Sequence, residues 1–105
     1  MTKIESGWEL NFYCPCKKCC GPNANGTTAC GKKVSKNDEY KICAAPKNFK
    51  CGTKIAVMAG WKSATVVVQD RRDDTSGKRL DIFVWRHDTA LKLGRKKNCI
   101  IQYAI

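Results

Sequence analysis

A chain of 105 residues has room for one small core and no second domain, and 20 Lys and Arg against nine Asp and Glu leave it at +11. Such a charge attracts anionic polymers, among them nucleic acids, teichoic acids and the carboxylate-bearing peptides of bacterial wall, without choosing between them. The longest apolar runs are a few residues and MTKIESGWEL has no basic-then-apolar signal pattern. We therefore expect no membrane span, and either a soluble chain or one whose targeting segment has been removed.

In chain order, the first strand-like segment is 8–14, rich in aromatic and β-formers, and it runs into Cys14-Pro-Cys16-Lys-Lys-Cys19-Cys20. Residues 21–31, GPNANGTTACG, are dense in turn formers and read as an ordered loop. Strand composition returns at 54–59 and 64–70, and Gly60 between them suits a hairpin, so these two should pair antiparallel. A further strand is expected at 80–85 and a last one at 99–103. Between them HDTALKLG predicts a brief helix whose apolar face is Ala90, Leu91 and Leu93, with Asp88 as N-cap and Gly94 as terminator. Short strands that close on themselves avoid exposed edges, which favours a small barrel.

Eight cysteines in so short a chain indicate a disulfide scaffold or a thiolate metal site. Cys16-x-x-Cys19 has ligand spacing, and Cys14, Cys16, Cys19 and Cys20 together could supply zinc. Against that, no second Cys-x-x-Cys exists and the only histidine, His87, is far away in sequence. The reading favours disulfides and no metal, with Cys14, Cys16, Cys19, Cys20, Cys30, Cys43, Cys51 and Cys99 all candidates and their connectivity open. Among the aromatics, Trp8 and Trp61 would stack on sugar faces if exposed, while Trp85, ending an apolar strand, is expected to pack inside.

Three blocks together carry a resemblance. YCPCKKCCG at 13–21 followed by GTTACG at 26–31, then ICAAP at 42–46 with CGTKI at 51–55, and finally Asp70 to Asp81 with ALKLGR at 90–95, resemble the three-aspartate (3D) domain over roughly residues 11–105. That family includes catalytic domains of lytic transglycosylases and muralytic resuscitation-type factors. The resemblance implies a mainly β fold for 1–105 as one domain, a disulfide-rich, six-stranded double-psi β-barrel with one or two short helices, related to barwin, expansins and rare lipoprotein A. Asp70, Gly77, Arg79 and Asp81 match the family's last block, Thr28 matches its threonine over the groove, and Ala45 stands where its first aspartate normally lies.

What the resemblance implies chemically is cleavage of the bond between N-acetylmuramic acid and N-acetylglucosamine, with the sugar's own C6 hydroxyl as nucleophile. One acid can protonate the leaving oxygen and then take the C6 proton as its conjugate base. Asp81 is the expected acid and Asp70 its charge neighbour, with Thr28 and Arg79 as substrate contacts. Asp73 and Asp74 read as solvated loop charges. The alternative is a non-catalytic, expansin-like wall or polysaccharide binder, marked by Ala45. Either function implies a monomer in the extracellular space or cell wall, reached by secretion or phage-lysin release, without cofactor or membrane insertion. No recognition-helix or RNA-binding signature supports a nucleic-acid partner.

Overall fold

The computed structural model describes residues 1–16, 26–58, 63–71 and 77–104. Six strands form a closed barrel: β1 (Thr2–Tyr13), β2 (Ile42–Ala45), β3 (Lys54–Met58), β4 (Ala64–Arg71), β5 (Arg79–Phe83) and β6 (Lys96–Ala104), in the spatial order β1-β5-β2-β4-β3-β6. Closure leaves no edge strand exposed. The pairs β1/β5 and β2/β4 are parallel, and β2/β5, β3/β4, β3/β6 and β1/β6 are antiparallel. A single turn of 3-10 helix, Lys36–Asp38, and a short helix α1 (His87–Leu93) complete the regular structure among the described residues. None of their helices is long and apolar enough to cross a membrane.

The interior follows from period-two alternation. Trp8, Leu10 and Phe12 of β1, Val66 and Val68 of β4 and Leu80 and Ile82 of β5 point inward and share one apolar cluster with Cys43 and Ala45 of β2. Each large side chain buried there contributes about 1.5–3 kcal/mol. The alternation of β1 begins only at Trp8 because its pairing with β6 shifts register between Glu5 and Trp8, where Gly7 takes a positive φ of 75°. Residues before that bulge pair with β6 but stay largely exposed.

Several expectations are met: β3 and β4 do pair antiparallel, and Gly94 does end α1, at φ 62°. Others need correction. Asp88 is not the N-cap, which is Arg86; it sits in the first turn, where its carboxylate pairs with Arg86 at 3.1 Å and accepts the Thr89 N–H. Leu91 is 69% exposed, since only Ala90 and Leu93, three residues apart, share the buried face. Trp85 lies past the end of β5 and is 39% exposed, whereas Trp8 is buried with its indole N–H on Glu5. The Gly60 turn and Trp61 lie outside the described residues.

Candidate functional site

Asp70 and Asp81 lie on different strands, yet both are paired with the same residue. Ala44 of β2 faces Asp70 on β4 and Asp81 on β5. Directly paired residues share a face, so the three form a row with buried Ala44 between two carboxylates, the outer backbones about 10 Å apart. A bulge sets this up. Val68 pairs with Cys43 and Asp70 with Ala44, leaving Gln69 as the extra residue; without it, Asp70 would follow Val66 and Val68 into the core. Asp81 needs no bulge, because Leu80 and Ile82 on either side already take the two inward positions.

The Asp70 carboxylate accepts three hydrogen bonds. Its Oδ1 takes the N–H of Ala29 at 2.8 Å and of Arg71 at 2.9 Å, and its Oδ2 takes the Tyr13 hydroxyl at 3.1 Å. Asp70 thereby fastens the 26–33 loop to β4. Cys30 strengthens that attachment through its N–H on the Gln69 carbonyl, at 3.2 Å, and its disulfide to Cys51. The Arg71 guanidinium reaches the Phe49 carbonyl and the Cys51 sulfur, holding the neighbouring turn.

Asp81 has Asn11 of β1 as its partner on one side and Ala44 on the other. Along the same outer face lie Glu9 and Arg79, also paired across β1 and β5. Arg79 Nε stands 3.0 Å from Glu9 Oε2 as an ion pair and not as an aligned hydrogen bond, and Arg95 approaches the same oxygen at 3.5 Å. The Asn11 amide, donating to Glu9 at 3.0 Å, with Arg95, Arg79 and Lys97 nearby, holds the Glu9 carboxyl below its ordinary range against slight desolvation. Both aspartates also act on the core thiol of Cys43: burial first, then the charges of Asp81 and Asp70, push it far above its ordinary value.

Thr28 is buried, and its hydroxyl accepts the Lys32 N–H at 3.1 Å, so it holds the loop's own turn. Ala45 is fully buried in the core cluster, so an aspartate there would put a carboxylate among apolar side chains. Asp73 and Asp74 lie outside the described residues. Of the disulfide candidates, Cys30 and Cys51 are joined, Cys43 and Cys99 instead stand as core thiols, and Cys19 and Cys20 lie outside the described residues.

Two features escaped the sequence reading. Tyr13, within the quoted YCPCKKCCG block, is a ligand of Asp70 from 57 residues away. His87, set aside as remote, has its Nδ1 3.6 Å from Cys14 Sγ and 3.4 Å from Cys16 Sγ. Sequence distance gave no signal for either; only strand order brings them together.

No family model matches the chain, and no curated protein matches it in sequence. Among solved structures, the Streptomyces papain inhibitor (SPI) is similar with a TM-score of 0.67 at 15% identity, covering 98% of this chain and 96% of that one. At that identity the likeness establishes a shared barrel fold.

Proposed function

We propose that the chain is a single-domain, 3D-type double-psi barrel that acts outside the cell on peptidoglycan as a lytic transglycosylase, with Asp81 as the acid. The observation that carries the reading is the row Asp70–Ala44–Asp81 on the outer face of three adjacent strands. It gives two carboxylates, at the positions that resemble the family's last block, on either side of the small, buried Ala44. Asp81 protonates the leaving glycosidic oxygen and, as carboxylate, takes the proton of the C6 hydroxyl. Asp70 contributes its charge and the loop that it fastens, and Arg79 contributes positive charge toward an anionic wall peptide. The +11 net charge supports that partner, and its attraction should weaken as salt rises.

A second reading has its own support. Asp70 is engaged as a fastener by three donors, and Ala45 faces the core, so a barrel that binds wall polymer without cleaving it is also consistent with this face. The solved neighbour is by its name a papain inhibitor, and we add protease binding as a further reading to test. Incubation with purified sacculi separates these readings: 1,6-anhydro-muropeptides mark the transglycosylase, and binding without products marks the binder. Inhibition of papain without wall binding would replace both.

A further inference from the structure

We propose that Cys14, Cys16 and His87 form a zinc site that clamps the end of β1 to the start of α1. The inference is independent of the carboxylate row and of what the barrel acts on. Cys14 directly follows β1 and is buried, Cys16 is two residues on, and His87 is the first residue of α1. The parallel β1/β5 pairing brings these segments together, and the Val84 N–H on the Tyr13 carbonyl, at 2.8 Å, extends that pairing toward the cluster. The three donor atoms all lie within 4.8 Å of one another.

The geometry suits a tetrahedral ion. With Zn–S near 2.3 Å and Zn–N near 2.05 Å, the sulfur-to-nitrogen edge of a tetrahedron is about 3.6 Å and the sulfur-to-sulfur edge about 3.8 Å. The two sulfur-to-nitrogen edges here are 3.6 and 3.4 Å. The Sγ atoms are 2.7 Å apart, so they must spread by about 1 Å, a small rotation at the half-buried Cys16. Two thiolates and an imidazole are borderline-soft donors that select zinc over magnesium or calcium. Binding releases both thiol protons to solvent, and coordination through His87 Nδ1 leaves Nε2 as the protonated nitrogen. The three side chains supply three of the four ligands that zinc takes.

The test uses the full chain prepared and kept in reductant, dialysed against metal-free buffer and titrated with Zn²⁺. Elemental analysis should then find one zinc per chain, and Co²⁺ in its place should show a thiolate-to-metal charge-transfer band. Cys16→Ser and His87→Ala, both at incompletely buried positions, should each weaken zinc binding more than about tenfold, and Cys16→Ser should also reduce the band. Cys99→Ala removes a thiol outside the cluster and should leave zinc content unchanged. The proposal is overturned if the reduced parent takes up no zinc, if both cluster variants bind it as tightly as the parent, or if a Cys14–Cys16 bridge persists in reductant.

Discussion

Two strands flank β2, and each presents one aspartate to Ala44, but the two carboxylates have different work. On the β4 side Asp70 accepts from two donors remote in sequence, the Ala29 N–H and the Tyr13 hydroxyl, and from its neighbour's N–H. On the β5 side Asp81 is set between Asn11 and Ala44 on a regular strand whose other face is core. The difference teaches that two aspartates singled out by one resemblance need not be a functional pair. Asp70 holds the rim together, and Asp81 is where proton transfer is proposed. Losing the first should therefore cost structure, and losing the second should cost chemistry.

The sharpest way to break this comparison is to add a third carboxylate at the intervening strand. Ala45→Asp should destabilise the barrel by about 3 kcal/mol or more, because the side chain enters the core and not the outer face. Chemical denaturation measures it, and a stable, more active variant would mean that β2 presents position 45 outward. Next in size, Asp70→Ala should cost about 2 kcal/mol and lower Tm by roughly 10 °C through loss of the loop anchor. Asp81→Asn should cost less than Asp70→Ala, because the amide keeps the carboxylate's shape whereas the alanine removes an acceptor of three hydrogen bonds, and equal losses in the two would erase the distinction.

A smaller effect is expected on the alkaline side. Cys43 has its thiol raised above an ordinary 9.0 in the folded state, so the unfolded chain ionises first and stability falls as pH rises beyond that value. Desolvation raises Cys99, Tyr40 and Tyr103 in the same direction, and Cys43→Ala should flatten the alkaline limb without removing it. The parent's Cys43 should react with a thiol reagent only after unfolding.

Smallest is the acid limb. Glu9 has a folded value below 4.5, so the hydrogen bond from Asn11 and, after it, the ion pairs stabilise above that pH, and the contribution is lost as pH falls through the lowered value. Glu9→Gln should make the acid limb slightly shallower, an effect reduced further by salt.

Much of the barrel is legible in the chain because β4, β5 and the second half of β1 alternate cleanly over a core. β2 is not: Ile42-Cys-Ala-Ala45 is buried throughout, so it carries no period-two signal and only its place in a family-like block marked it. The first half of β1 was missed for the opposite reason, being exposed before the Gly7 bulge. Asp70 and Asp81 could be picked out by the resemblance of their block, but the Gln69 bulge and the Tyr13 contact that give Asp70 its separate role are consequences of strand order. The same holds for His87, 71 residues from Cys16 and yet beside it.

The most direct test of the central claim is mass spectrometry of sacculi digested by the parent and by Asp81→Asn, the variant chosen because the amide keeps the shape but cannot donate and reclaim a proton. The account predicts 1,6-anhydro-muropeptides from the parent and a loss of at least about 100-fold in the variant, with wall binding retained. Absence of anhydro products from the parent, or their release by Asp81→Asn at the parent's rate, would contradict it.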